Sequence, residues 1–501
     1  MNMPLVLLNR RRRGGAAAFT PAGLFALAEP GVWYDPSDLT TLFQDTAGTL
    51  PVTTPGQTVA LALDKSKGLV LGPELVTNGT FDTDTSGWTS WQTGVLSVDS
   101  SRLKVENGAA TISGAYQIIT VVVGRTYKFE GVREPGPGAA SPRYYLGTSI
   151  GGTQYVSGAV SGQVFVATST TLVVTAATQT TTLGAIAYFD NISVKELPGF
   201  HATQATLASR PTYGIVPLGG RRNLLVNTTT MATQSLTVTA VAHTLSFTGT
   251  GTVTLTGAST AGPLVGTGVN NRVSLTFTPT AASLTLTVSG SVTLAQLELG
   301  STVSNYQRVG SAFDVTEAGV SSLSYLAFDG VDDWLVTPTI TPGIDRAQVF
   351  AGVRKLSDVA QGMVAEFSAN SSANNGSFFF IGPRTNATAN YGFNSRGTIA
   401  VDATSPANFA APITNVLTAI GDIAGDVARL RVNGSQVAET LTDQGTGNFL
   451  AYPLYIGRRG GSALPFNGNL FSIIVRFGTN LDAGTITSTE TWVAGKTGVT
   501  L

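Results

Sequence analysis

The chain has 501 residues, a formal net charge of −1 and charged side chains at only 12% of positions, which excludes the broad basic field that nucleic acid or an acidic membrane surface would need. It has no cysteine, so disulfides, thiolate nucleophiles and thiolate metal sites are excluded together, and stability must come from packing and hydrogen bonding. At about 100–200 residues per domain the length implies roughly three modules, and the Thr, Gly, Val and Ser that dominate the middle of the chain favour pleated strands and tight turns.

Residues 1–30 form a basic, then Gly/Ala-rich, arm with no sustained amphipathic period. Two readings stand: a flexible tail, or an assembly arm ordered by a neighbouring subunit. The apolar run that follows Met1 precedes the arginines at 10–13, the reverse of a secretory signal, and no stretch is long enough to span a bilayer. The expectation is a protein made and assembled in cytoplasm, without membrane insertion.

From Val32 the text Val-Trp-Tyr-Asp-Pro-Ser-Asp predicts a short strand closed by Pro36 and followed by a brief turn or helix. Residues 73–198 open with Asn78-Gly-Thr-Phe-Asp82 and Trp88, alternate through short strand-like runs, and close on Tyr188-Phe-Asp-Asn191. Even spacing with Gly-rich turns predicts a two-sheet sandwich. A second alternating block, from Asn223-Leu-Leu to Leu297-Glu-Leu-Gly300, follows the same plan and predicts a shorter jelly roll.

The last block, about 321–501, has longer alternation, with Asn433-Gly434 between two apolar runs as a hairpin signal. Only 486–496 reads as a helix, with Ile486, Trp492 and Val493 at helical spacing and Gly498 just past its end. The predicted class is all-β: several β-sandwiches and one short C-terminal helix.

Particular motifs sharpen this. Leu326-Ala-Phe-Asp-Gly-Val-Asp-Asp-Trp-Leu335, the Leu430-Arg-Val-Asn-Gly434 hairpin and Pro453-Leu-Tyr-Ile-Gly457 resemble the concanavalin A-like, laminin-G-type lectin domains of phage and bacterial surface proteins. Other pieces of that family's pattern are scattered: Trp33-Tyr-Asp-Pro-Ser-Asp38, Asp64-Lys-Ser66, His201-Ala-Thr-Gln-Ala-Thr206 and Arg210-Pro-Thr-Tyr213. The resemblance implies one discontinuous lectin-like domain, 31–68 with 199–214 and 321–501, interrupted by jelly rolls at 69–198 and 215–320. Sandwich modules tolerate insertion because their termini lie close together at the surface.

The 69–198 insert resembles carbohydrate-binding modules. In such relatives the two ends of the domain meet and share a structural calcium, which would implicate Asp82 and Asp190; the alternative is that Asp190 only satisfies backbone groups of a turn. No other cofactor is required. Exposed aromatic rings stack on pyranose faces, which makes Trp91, Tyr144 and Tyr145 the candidate saccharide platform, against the competing role of core packing.

Catalysis finds little support. Gly147-Thr-Ser-Ile-Gly151 has the nucleophile-elbow spacing, but the residues that follow Ser149 do not read as the helix that chemistry needs. Glycoside hydrolysis needs two carboxylates about 5–10 Å apart; Glu366 stands alone, and Asp332 and Asp333 are adjacent, so on a strand they would point to opposite faces. The two histidines, His201 and His243, read as structural.

The expectation is therefore a non-enzymatic bacteriophage virion protein. It is of the tail-fibre or receptor-binding type, attached to other virion proteins by the 1–30 arm, oligomeric, and contacting host-surface saccharide. The alternative is a non-adhesive capsid or tail decoration protein.

Overall fold

The computed structural model describes residues 19–138, 141–158, 161–368, 370 and 373–501. Among these, strands dominate and a single α-helix, Ala483–Thr497, lies near the C-terminus, so the protein is an all-β assembly of sandwiches.

The largest sandwich pairs a ten-stranded with a nine-stranded sheet. The first runs in the order Gln307–Ser311, Asp314–Glu317, Thr212–Pro217, Ser322–Asp329, Asn467–Phe477, Arg346–Lys355, Ile413–Asp422, Val427–Val432 and Ser435–Thr440, with Gly31–Tyr34 also paired to Asn467–Phe477. The second includes Leu42–Phe43, Leu61–Ala62, Ala202–Thr203, Leu335–Val336, Met363–Phe367 and Ser377–Ile381. One apolar core lies between them and draws on Val32, Val59, Ala202, Tyr213, Phe328 and Phe378 alike. The Gln307–Glu317 hairpin, grouped by sequence with the second jelly roll, instead extends an edge of this large sheet, its second strand lying parallel to Thr212–Pro217.

The central strands are apolar on both faces for a physical reason. Ala347, Val349, Ala351 and Val353 point inward, while Phe350 points out to a second cluster with Trp33, Ile474 and Val493. Alternate residues of a strand face opposite sides, and here the outer side is covered by the helix. Asp482 caps the helix by accepting from the Thr485 N–H, and Gly498 ends it in the left-handed region at φ 73°. The helix therefore begins three residues before the predicted start.

Residues 19–30 share this cover. Leu24 and Phe25 are buried in the outer cluster, and the Arg476 guanidinium donates to the Leu24 carbonyl and to Glu29. This part of the predicted arm is docked on its own chain and needs no neighbour to order it. Residues 1–18, which carry the arginine run, lie outside the described residues.

The two inserted blocks have their own cores. In 73–198, a sheet of Val156–Ser157, Arg143–Gly147, Thr171–Ala177, Gly114–Thr120 and Thr89–Trp91 faces a sheet of Gln163–Val166, Thr126–Pro135, Ile186–Glu196, Leu103–Asn107 and Gly94–Val98. Its ends run side by side: the Leu75 N–H donates to the Val194 carbonyl and the Ile192 N–H to that of Gly79. A smaller four-plus-three-stranded sandwich, Gln234–Thr237 to Val292–Leu299, encloses Leu245, Phe247, Leu284 and Leu297. There, too, entry and exit meet, because the buried Asn223 amide donates to the carbonyls of Ala295 and Gln307.

The predicted hairpin forms at Asn433 and Gly434, with φ 49° and 77°. Two consecutive positive φ values are what a tight two-residue turn demands. Gly434→Ala is expected to lower stability by about 1–2 kcal/mol, the penalty of a side chain in left-handed backbone, read as a shift in denaturation midpoint. An unchanged midpoint would contradict this.

Candidate functional site

Three of the scattered lectin-type segments meet at Asp64. Its buried carboxylate accepts from the N–H groups of Trp33, Ser66 and Phe200, and the Asp64 N–H donates to His201 Nδ1. That bond fixes the tautomer: Nε2 carries the hydrogen and donates to the Leu197 carbonyl. Burial holds the His201 imidazole below its ordinary range, with Asp64 opposing. Three segments far apart in sequence are thus locked by one carboxylate, and His201 is structural. His243 is also buried, hydrogen-bonded to the Val241 carbonyl and stacked on Phe277.

The residues proposed for saccharide separate by strand alternation. Tyr144 is 1% exposed, its ring packed edge-on against Phe129 and Phe189 and its hydroxyl donating to the Val132 carbonyl. Burial raises its phenol well above the usual range. It presents no face to a sugar, which corrects its place in the predicted platform: it is a core residue.

Tyr145, one residue on, faces outward and is half-buried. Register then assembles the outer face. Tyr145 lies opposite Thr175, Thr175 opposite Tyr116, and Tyr116 opposite Thr89; in the adjacent row Arg143, Ala177, Gly114 and Trp91 follow one another. Trp91 and Tyr145 therefore share one sheet face with Tyr116, a half-buried ring that sequence reasoning missed.

Glycine shapes this face. A Cβ on Gly114 would lie 3.0 Å from Trp91 Cε3, so the indole lies over a bare backbone. The edge of the same ring abuts Gly151, whose own Cβ would lie 3.1 Å away and whose N–H donates to Thr175 Oγ1. The 148–152 loop is thereby pinned over the middle of the face, between the rings. Ser149 belongs to this loop, which continues as a turn and not as a helix, so the nucleophile-elbow spacing has no elbow behind it.

Other carboxylates do different work. Glu366 is fully buried, paired with Arg459 and accepting from Ser368. Asp332 and Asp333 do not lie on a strand but in the turn after Ser322–Asp329. There Asp329 Oδ1 accepts from the N–H groups of Val331 and Asp332, and Asp333 Oδ2 accepts from the Asp329 N–H. The turn, and not strand alternation, sets their direction, and the ligand atoms of Asp329, Asp332 and Asp333 lie within 4.8 Å of one another, close enough to hold a metal ion. Burial, followed by the neighbouring Asp329 and Asp332 charges, pushes the Asp333 carboxyl up to about 7.

Asp82 and Asp190 stand apart from that trio. Asp82 accepts from Thr80, and both Asp190 oxygens accept from Asn191. Among the described residues neither belongs to a group of three or more acidic or histidine ligands. Calcium takes six to eight oxygens, so these two side chains alone do not fit the implied ion, although the two ends of the domain do meet beside them.

No family model and no curated protein matches the chain. Among solved structures, the Ruminococcus gnavus IT-sialidase CBM40 bound to α2,3-sialyllactose is 18% identical, with 30% of this chain and 84% of that one covered at a TM-score of 0.25. A leech intramolecular trans-sialidase is 16% identical, over 30% of this chain and 24% of its own, also at 0.25. A SAP-like pentraxin from Limulus polyphemus is 13% identical, over 32% and 78%, at 0.27.

Proposed function

We propose that this protein is a non-catalytic, saccharide-binding component of a bacteriophage particle, of the tail-fibre or receptor-binding type, that contacts host-surface glycan through the outer face of the Thr89–Ala177 sheet. The observation that carries the binding reading is the common face of Trp91, Tyr116 and Tyr145, three half-buried rings with Arg143 exposed beside them. Flat apolar rings stack on pyranose faces while neighbouring polar groups take the hydroxyls. The phage setting rests on the resemblance of the lectin-type motifs, and the attachment role on the basic run at 10–13. The non-catalytic reading is supported by the enclosed Glu366 and by the helix-less loop around Ser149.

Glycan-array binding of the full chain is expected to select a saccharide that Trp91→Ala and Tyr145→Ala each weaken at least tenfold, with melting unchanged. Tyr144→Phe, which removes only a hydroxyl buried in the core, is expected to leave that binding as it was. Absence of any saccharide signal, together with a position away from the tail in imaged particles, would replace the adhesive role with decoration of the virion.

A further inference from the structure

A cavity of about 550 Å³ lies on the outer face of the ten-stranded sheet, walled on one side by the end of the helix at Thr497 and Gly498 and on another by Arg221 and Phe313. Its size is that of a small-molecule site. It is remote in sequence from the Trp91 face and does not depend on it.

The floor is one continuous cross-strand row. Thr212 lies opposite Ala327, Ala327 opposite Asn469, Asn469 opposite Arg354, and Arg354 opposite Thr414. The small Ala327 side chain at the centre leaves the depth, and Tyr325 and Phe471, 5.7 Å apart between ring centroids, supply apolar surface beside it.

Charge is unevenly placed along this groove. Arg354 donates to Thr414 Oγ1 at 3.3 Å, and Arg221 donates to the carbonyls of Asn223, Leu224 and Leu225. The ion pairs formed by arginines among the described residues engage neither of them. Both guanidiniums act electrostatically on the Tyr325 phenol, which burial nonetheless holds up at about 12, so it stays a hydroxyl donor. Arg354 in the central row, Arg221 in the wall and the Tyr325 hydroxyl, none of them in an ion pair among the described residues, line the cavity as an anion subsite on its Tyr325 side. Toward the other end, Asp329 follows Tyr325 by four residues of strand, about 13 Å at roughly 3.3 Å per residue, and Asn467 lies opposite it.

We propose that this cavity binds an acidic oligosaccharide, with a carboxylate held by Arg354 and Arg221 beside the Tyr325 hydroxyl and with ring hydroxyls taken by Asn469, Asn467 and Asp329. Guanidinium groups match carboxylates in planar, two-pronged geometry. Side-chain amides and a carboxylate accept and donate to vicinal hydroxyls, and the span accommodates more than one sugar ring. A simple fatty or aromatic acid would leave the Asn467 and Asp329 end unmatched, at the expense of desolvated polar groups.

The full chain, titrated calorimetrically with a panel of oligosaccharides ending in uronic or nonulosonic acids, is expected to bind at least one of them. The same sugar with its carboxyl reduced to the alcohol should bind at least tenfold more weakly, and Arg354→Gln should lose a similar factor for the acid but not for the alcohol. Filling the floor with Ala327→Phe should abolish binding of both. The proposal is overturned if no acidic sugar binds, if the reduced sugar binds as tightly as the acid, or if a folded Arg354→Gln variant keeps full affinity. Carried out on the Trp91→Ala chain, which disables the other proposed saccharide face, the comparison of acid with alcohol reads this cavity alone and decides the matter even where Arg354→Gln does not fold.

Discussion

Asp358→Ala is expected to destabilise the large sandwich by about 3–5 kcal/mol, the usual effect of removing one partner from a buried ion pair. The surviving partner is the reason. Lys355 is fully buried at the end of a central strand, its ammonium 2.5 Å from Asp358 Oδ1, 3.3 Å from the Asn390 carbonyl and over the Tyr391 ring. Burial holds this ammonium below its ordinary range, and Asp358 is the charge that opposes that effect. Without Asp358 the cation is enclosed by a carbonyl and an aromatic face only. Asp358 Oδ2 also accepts from the Ala411 N–H, so the loop at 411 loses an anchor as well.

The double variant Lys355→Met with Asp358→Ala removes the stranded charge and is expected to recover most of the loss. The pH dependence carries a second signature. A lysine whose folded pKa lies below its unfolded value releases its proton more readily when folded, so stability rises with pH between the two values. The deficit of Asp358→Ala should therefore shrink as pH approaches 10. Equal stability of the single and double variants, measured by denaturant unfolding at neutral pH, would show that the pair is not the cause.

Much of the architecture is legible in sequence because strand alternation and turn chemistry are local. The Asn433-Gly434 turn and the Gly498 helix end rest on such rules, whereas the split lectin-type motifs are legible only by resemblance; three of their segments meet where Trp33, Ser66, Phe200 and His201 bring a backbone N–H or a ring nitrogen to Asp64. The face proposed for saccharide is half legible. Adjacent residues on a strand must point to opposite sides, which already forbids Tyr144 and Tyr145 from acting together, but which of them faces the core depends on the opposing sheet. Tyr116 joins the face only through register with Thr175, a pairing that no spacing along the chain encodes.

The same limit applies to the acidic turn and to the cavity. Asp332 and Asp333 come together with Asp329 because Asp329 accepts the N–H groups of Val331 and Asp332, turning the chain before the strand period can apply. The cavity floor is built from five strands whose order is set by long-range pairing. Residues 19–30 read as an arm because Leu24 and Phe25 are too few to make a period; only the presence of the helix and Arg476 gives them a place to pack.

Asp333 provides a pH test of the acidic turn. Its carboxyl is pushed up to about 7 by burial first, then by Asp329 and Asp332, from an ordinary value of 3.8. A group whose folded pKa lies above its unfolded value binds more protons when folded, so stability falls as pH rises across that window and levels off above it. Each pH unit between about 4 and 7 removes at most about 1.4 kcal/mol from the folded state. The penalty at pH 8 should thus amount to a few kcal/mol relative to pH 4. Asp333→Asn keeps the shape of the side chain and an oxygen to accept the Asp329 N–H, but it cannot ionise. With a chelator present to keep cations off the three carboxylates, this variant should be more stable than the unaltered protein at pH 8, and the difference should close toward pH 4. The sign separates this group from ordinary paired carboxylates such as Asp422, which the Asn480 amide, the Gly425 N–H and Arg346 hold below the usual range against burial and which therefore loses stabilisation as pH falls. A stability curve for Asp333→Asn that runs parallel to that of the unaltered chain from pH 4 to 8 would mean that folding does not raise the Asp333 carboxyl.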